Sequence, residues 1–195
     1  PFSDARIGFN NLFIIDPFYT VPLLVTLIWL AFLRTKKQLP KRRRLCWWGL
    51  GLSTAYVGLS FGAKWLASEG FESDLKRRGV SYTRRFEAPT PFNILFWRAA
   101  VDRENEIWIG YRTIFESRET PVRWTVYPKG RDAYFPYSDT PEVKRAAWFA
   151  DGWWIARQHK KGLWLGDLRF GESRVWGARK GVVDSQIAFS WVFTP

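Results

Sequence analysis

The sequence predicts an α+β protein in which two N-terminal transmembrane helices precede a small, mainly antiparallel β domain with one or two helices. Three observations support this fold class. Two long apolar stretches lie near the N-terminus, and a strongly basic segment separates them. Most of the remaining chain has the β-branched and aromatic content of strands, with a clear alternation at residues 122–127. The expected domains are a membrane segment over residues 1–67 and an extracytoplasmic α+β domain over residues 68–195.

The two apolar stretches cover residues 13–33 and 45–67. From Pro17 to Leu33 there is no charged side chain over 17 residues, and Lys64 is the one charge in the second stretch. A helix needs about 20 mostly apolar residues to cross a bilayer, so both stretches are long enough when their ends are included. The alternative is a pair of buried core helices in a soluble protein.

The segment between them, residues 34–44, contains seven basic residues and no acidic residue. These residues are Arg34, Lys36, Lys37, Lys41, Arg42, Arg43 and Arg44. Under the positive-inside rule this loop faces the cytoplasm, which places residues 68–195 on the extracytoplasmic side. If the source is a Gram-negative bacterium, the membrane is the inner membrane and that side is the periplasm. The expected partners are the lipid bilayer and, at this loop, anionic lipid head groups.

The alternatives for the basic segment are a solvated charge run and a nucleic-acid patch. No nucleic acid is expected as a partner, because this loop accounts for seven of the +12 net charges.

Composition excludes further classes of protein. With 47% hydrophobic residues and 13 tryptophans, the chain is too apolar to be disordered. The single cysteine, Cys46, and single histidine, His159, exclude an internal disulfide, a cysteine-rich metal cluster and a site with several histidines.

The part of the chain after residue 67 is predicted to be mostly strands. A short helix is expected over residues 68–78 and ends at Gly79, since glycine is favoured where a helix terminates. The order Thr140-Pro141-Glu142 is typical of a helix start, and that helix should reach about residue 150. Strands are predicted at residues 80–86, 94–101, 106–115, 122–127, 153–158, 162–169 and 187–193, and a loop at residues 171–181.

Two carboxylates are candidate metal ligands, and the catalytic residues remain unknown. Asp16 lies at the outer end of the first apolar stretch, where an ionisable group is costly and indicates a functional site. Asp4 precedes it by twelve residues, and carboxylate oxygens bind divalent cations well. The alternative for Asp16 is a helix cap, because Asp followed by Pro is a strong helix start. The alternative for Asp4 is a turn or a cap.

Several motifs carry a resemblance to a known family. Residues 1–4 read PFSD, residues 13–17 read FIIDP, and residues 88–98 read APTPFNILFWR. These segments resemble the YdjM-like membrane-bound proteins, described as predicted metal-dependent hydrolases and, in one member, as LexA-binding. The resemblance covers nearly the whole chain. It implies that this is the C-terminal portion of an inner-membrane hydrolase.

The resemblance also implies what this chain lacks. The metal-binding His and Asp motifs of the family lie upstream of the PFSD segment, and the absence of Met from a chain that starts at Pro1 also indicates a piece of a longer protein. A divalent metal, zinc or manganese, is therefore expected in the full-length parent, with Asp16 and Asp4 as ligands or supporting residues, and the fragment should be inactive alone.

Substrate binding and the class of function stay open on the sequence. Arg98 and Arg112 are candidates for binding an anionic part of the substrate, the alternative being solvated surface arginines. The alternative function is a non-catalytic, membrane-anchored binding or scaffold module. Substrate, metal identity and oligomeric state do not follow from the sequence.

Overall fold

The computed structural model describes residues 8–33, 35–172 and 187–194. Two helices, α1 (Pro17–Phe32) and α2 (Leu39–Arg77), come first, and a short 3-10 turn (Lys36–Gln38) connects them. The other elements are β1 (Arg84–Pro89), β2 (Phe96–Arg103), β3 (Glu106–Thr113), β4 (Trp124–Pro128), α3 (Arg131–Tyr134), a 3-10 turn (Phe135–Tyr137), α4 (Pro141–Phe149), β5 (Trp154–His159), β6 (Gly162–Glu172) and β7 (Ile187–Phe193).

The prediction of two transmembrane helices is wrong. Among the described residues, no helix is both long enough and apolar enough to cross a membrane. α1 has 16 residues, which at 1.5 Å per residue gives about 24 Å against a hydrocarbon core of about 30 Å. α2 is longer, at 39 residues, but Gly, Ser, Thr and Tyr residues dilute its apolar stretch and charged residues occupy both of its ends.

The helix ends follow from local chemistry. Asp16 caps α1: its side chain accepts a hydrogen bond from the Phe18 backbone N–H, and Pro17 occupies the first helical position. α2 ends just before Gly79, which adopts a φ of +63° and so tolerates the left-handed conformation that terminates helices. The helix predicted at residues 68–78 is thus the last part of α2. Residues 66–68 include no Gly or Pro that would end the helix between the second apolar stretch and this segment.

The start of α2 also changes the description of the basic segment. α2 begins at Leu39 with Pro40 in its first turn, so Lys41, Arg42, Arg43 and Arg44 are helical residues and not loop residues. Arg34 and the side chain of Lys36 lie outside the described part of the structure, as do Asp4 and most of the loop predicted at residues 171–181.

The strands form two sheets, with orders β1-β2-β3-β4 and β5-β6-β7. A two-residue turn joins β2 to β3, and a backbone hydrogen bond from Ile114 to Leu95 (2.9 Å) continues their antiparallel pairing beyond the strand ends. In the second sheet β6 is the central strand, and its Leu165 lies opposite Ala156 of β5 on one side and opposite Trp191 of β7 on the other. The seven predicted strands are all present, β7 with the predicted bounds and the other six with one or both ends shifted. α4 confirms the predicted helix.

The chain divides into two compact units. The first contains the described residues up to 80 together with residues 87–99 and 110–123, and the second contains residues 81–86, 100–109 and the described residues from 124 onward. In the second unit, α4 packs on the sheet of β5–β7 around a buried cluster that excludes water. This cluster comprises Val143, Ala146, Ala156, Leu163 and Leu165.

Candidate functional site

The face of α2 that packs against α1 is made of small and polar side chains. Gly49, Ser53 and Ser60 are buried along this face. At Gly49 the fit is closest: a Cβ atom there would lie 2.3 Å from Thr26 Oγ1. Such small residues let two helices approach closely.

Hydrogen bonds tie this face to α1 and to the segment before it. Ser53 donates to the Tyr19 carbonyl at 3.0 Å, and Asn11 donates to Ser60 Oγ at 2.7 Å. Thr26 donates to the carbonyl of Pro22 at 2.7 Å, which leaves no hydroxyl proton unsatisfied at the tightest point. Polar groups are therefore enclosed between the helices and paired there.

The outward sides of the same two helices are apolar. Trp47 and Trp48 are 68% and 60% exposed, and Trp29 on α1 is 59% exposed. Further exposed apolar side chains on these helices are Phe18, Val21, Leu24, Val25, Leu27, Ile28, Phe32, Leu50, Leu52, Leu59, Phe61 and Trp65. We call this set the outer apolar surface. It reverses the usual arrangement, in which large apolar groups are inside and polar groups outside.

Basic side chains border the outer apolar surface at the start of α2. Arg43 and Arg44 are exposed and line a groove of about 720 Å³ with Trp47, Trp48 and Leu52. Lys41 and Arg42, the two residues directly before them, are exposed as well. Cations beside exposed indole rings are the combination found where a protein contacts the head-group region of a bilayer, since each ring has an apolar body and a polar N–H.

The glycines of α2 show which part of this arrangement the sequence could have revealed. Gly51, Gly58 and Gly62 have open space where a Cβ would be added, whereas Gly49 contacts Thr26. Composition alone marks all four as packing residues. Spacing sorts them onto two helix faces: Gly49, Ser53 and Ser60 recur at intervals of four and seven, and Gly51, Gly58 and Gly62 at intervals of seven and four. It does not show which of the two faces packs against α1.

Asp16, predicted to be a metal ligand, is 2% exposed and has two local partners. Its Oδ1 accepts from Phe18 N at 3.0 Å, and its Oδ2 accepts from the Tyr56 hydroxyl at 2.9 Å. Burial, and then the hydrogen bond to Asp16, raises the pKa of Tyr56 above its ordinary value. The cap that the sequence offered as an alternative is therefore present.

A metal site was expected around Asp16 and Asp4. Asp4 lies outside the described residues. Within the residues that the structure describes, no three His, Cys, Asp or Glu side chains are grouped closely enough to hold a metal ion. The metal expected in a longer parent stays a prediction.

Arg98 and Arg112, predicted to bind an anionic group, are buried and not solvated, at 6% and 1% exposure. The pairing of β2 with β3 places Arg98 opposite Tyr111 and Arg112 opposite Trp97, so the two guanidinium groups leave opposite faces of the sheet. The structure does not bring them together, and their role in substrate binding stays a prediction.

Each of the two arginines has its own surroundings. Arg112 donates to the Glu116 and Ser117 carbonyls at 3.1 and 3.3 Å and lies over the Phe71 ring, where burial lowers its pKa. It holds the turn after β3 against α2. The guanidinium nitrogens of Arg98 have no hydrogen-bond partner among the described residues.

Comparison with known proteins adds no relative that would assign a role to these residues. The resemblance to the YdjM-like family therefore stays a prediction carried by the PFSD, FIIDP and APTPFNILFWR motifs. No family model, no curated protein and no solved structure matches this chain.

Proposed function

We propose that this chain is a non-catalytic binding module that attaches to the surface of an anionic lipid bilayer through α1 and the first two thirds of α2. One observation carries the proposal: the helices keep Gly49, Ser53 and Ser60 inside and expose large apolar side chains outside. In water that arrangement is costly, and exposed apolar patches of this kind mark interaction sites.

The apolar contribution is large for each residue that leaves water. Burying a Leu, Ile or Phe side chain contributes about 1.5–3 kcal/mol. Several side chains of the outer apolar surface entering the acyl region together therefore supply enough free energy for stable attachment, without a helix that crosses the membrane. Trp47 and Trp48 stand at the end nearest the basic residues, where indole rings favour the head-group level.

The basic residues account for the preference for anionic lipid. Each Lys or Arg near a negatively charged membrane surface contributes about 1 kcal/mol. Lys41, Arg42, Arg43 and Arg44 follow one another in the first turns of α2 and are all exposed. No ion pair involves any of them among the described residues, which leaves their charge for lipid phosphates.

The hydrolase activity implied by the family resemblance stays a prediction, since Asp16 is engaged as a helix cap and no observation favours a catalytic role. The periplasmic position of residues 68–195 was inferred from two membrane crossings. No helix among the described residues is long and apolar enough to cross a membrane, so that inference loses its support and the localisation is likewise a prediction.

Vesicle flotation tests the proposal. The full chain is mixed with phosphatidylcholine vesicles that contain or lack phosphatidylglycerol, and the floated fraction is measured. The double variant Arg43→Gln/Arg44→Gln should bind anionic vesicles roughly 30-fold more weakly, because two charges contribute about 2 kcal/mol. The matched control is Lys160→Gln/Lys161→Gln, which removes the same charge from an exposed turn in the second unit.

Three results would reject the proposal. The first is a wild-type chain that stays at the bottom of the gradient with both kinds of vesicle. The second is equal binding to neutral and anionic vesicles, which would remove the role of the basic residues. The third is an equal loss of binding in the control variant, which would show that the loss comes from the lower net charge of the chain and not from the position of Arg43 and Arg44.

A further inference from the structure

The second unit contains a small cavity whose lining is both cationic and aromatic. It has a volume of about 260 Å³, slightly below the range of drug-sized pockets, which begins at about 300 Å³. Its lining residues are Arg84, Lys129, Arg131, Tyr134, Phe135, Gly152 and Trp154. We propose that this cavity binds a small aromatic ligand that carries an anionic oxygen group, a carboxylate or a phosphate. This site is independent of the proposed lipid-binding surface.

The aromatic part of the cavity is preformed. Tyr134, the last residue of α3, stacks on Trp154, the first residue of β5, with ring centroids 4.3 Å apart and planes inclined by 25°. Phe135 lies edge-on to Tyr134 at 6.3 Å and is 61% exposed. Flat rings prefer offset-stacked and edge-to-face neighbours, so this group offers both geometries to an incoming ring.

Two of the three cations are fixed by one buried carboxylate. Asp102 is 5% exposed; its Oδ2 lies 3.1 Å from Arg84 Nε and its Oδ1 lies 2.6 Å from Lys129 Nζ. The second contact is a close ion pair, and an ammonium group has three N–H donors. Lys129 therefore keeps N–H donors that can turn toward the cavity.

The third cation is held without a counter-charge. Arg131 is exposed and donates from one guanidinium nitrogen to the Glu104 carbonyl at 2.6 Å. No carboxylate forms an ion pair with it among the residues that the structure describes. A backbone carbonyl orients the group without neutralising it, and the remaining N–H groups suit a carboxylate or phosphate.

Two glycines allow the cations to reach these positions. Gly152 has a φ of +73° and a Cβ there would lie 2.4 Å from Arg84 Nη2; Gly130 has a φ of +66° and a Cβ there would lie 2.0 Å from the Ala156 carbonyl. Any side chain at Gly130 would push the turn away from β5. That turn joins Lys129 to Arg131, so its close approach positions both cations.

Charge and shape together select the ligand class. Three cations line the cavity, while two carboxylates that are not part of its lining, Asp102 and Asp151, both contact Arg84. The lining itself contains no acidic residue. A cation would be repelled, a neutral ring would leave Arg131 unused, and a free inorganic anion would leave the rings of Tyr134 and Trp154 uncovered.

Isothermal titration of the full chain with four probes tests the proposal: benzoate, phenyl phosphate, inorganic phosphate and benzyl alcohol. We expect benzoate or phenyl phosphate to bind, and the other two to bind at least tenfold more weakly. Arg131→Gln should weaken binding by about 10- to 100-fold, the loss of a charge-assisted contact. Trp154→Leu should weaken the aromatic probes but not inorganic phosphate. Lys160→Gln, which removes an exposed charge on the β5–β6 turn, should have no effect.

The outcomes separate the alternatives. If benzoate binds and phenyl phosphate does not, or the reverse, the anionic group is identified and the proposal holds. Failure of both aromatic anions to bind to a chain whose circular dichroism shows it folded overturns it. So does an equal loss of affinity in Arg131→Gln and Lys160→Gln, or inorganic phosphate binding as tightly as the aromatic anions.

Discussion

The role of Asp16 can be decided by its effect on stability. In the structure this carboxylate caps α1 and accepts a hydrogen bond from Tyr56. Asp16→Ala removes the cap, which costs about 1 kcal/mol, and leaves the Tyr56 hydroxyl without its charged acceptor, which costs about 1.5–3 kcal/mol. The total is about 3 kcal/mol. For a domain of this size, that lowers the midpoint of thermal unfolding by roughly 6–12 °C.

The assay is thermal unfolding of the full chain in a mild nonionic detergent, with and without EDTA. Asp16→Asn is the matched control, because Asn caps helices as well as Asp does and its amide oxygen can accept from Tyr56. It should lose less than about 1 kcal/mol. Tyr56→Phe combined with Asp16→Ala should be less destabilising than the sum of the single changes, since both remove the same hydrogen bond.

A metal ligand would behave in the opposite way. Removing a buried, unneutralised carboxylate from metal-free protein relieves a desolvated charge, so Asp16→Ala would then be as stable as wild type or more stable in EDTA. EDTA would also lower the unfolding temperature of wild type and have no effect on the variant. That pair of results would refute the cap as the main role of Asp16.

Three further predictions concern packing, pH and a buried ion pair. Gly49→Val should destabilise the helix pair by about 1–3 kcal/mol through overpacking, whereas Gly51→Val, where the added Cβ meets open space, should not; equal urea midpoints would contradict this. The pKa of Tyr56 is raised in the folded state, so the contribution of this hydroxyl to stability is complete below about pH 10, the ordinary tyrosine pKa, and is lost as pH rises above it. Tyr56→Phe should therefore lose less stability above about pH 10 than wild type in alkaline unfolding. Equal losses in the two proteins would count against this prediction. Asp102→Asn should lower the free energy of unfolding by about 3–5 kcal/mol, because it leaves Lys129 buried without its counter-charge. Asp139→Asn, at a surface pair, should lower it by less than about 1 kcal/mol in the same experiment. Similar losses would show that burial does not determine how much an ion pair contributes.

The strands and α4 were predictable because their signals are local. Thr140-Pro141-Glu142 marks the start of α4, and the alternation of residues 122–127 marks β4. The boundary of α2 was not predictable in this way. The charge of Lys41 to Arg44 favours a loop, yet Lys, Arg and Pro near a helix start are all compatible with helix formation.

The cationic and aromatic cavity could not be found from the sequence. Arg84, Lys129 and Trp154 are far apart in the chain, and the sheet topology and the turn at Gly130 bring them together. Spacing along the chain contains no signal for such a group. The burial of Arg98 and Arg112 was missed for a related reason: alternation identifies the faces of a strand but does not show that both faces are covered.

Contact between the outer apolar surface and lipid is the central claim, and site-specific quenching measures it directly. A Cys46→Ser chain is labelled with an environment-sensitive fluorophore at Leu50→Cys, on that surface, or at Lys160→Cys, on an exposed turn. Vesicles of phosphatidylcholine and phosphatidylglycerol then carry nitroxide-labelled lipid chains. The account predicts strong quenching and a blue shift at position 50 and neither at position 160. An unquenched probe at position 50, with the protein bound to the vesicles or not, would contradict it.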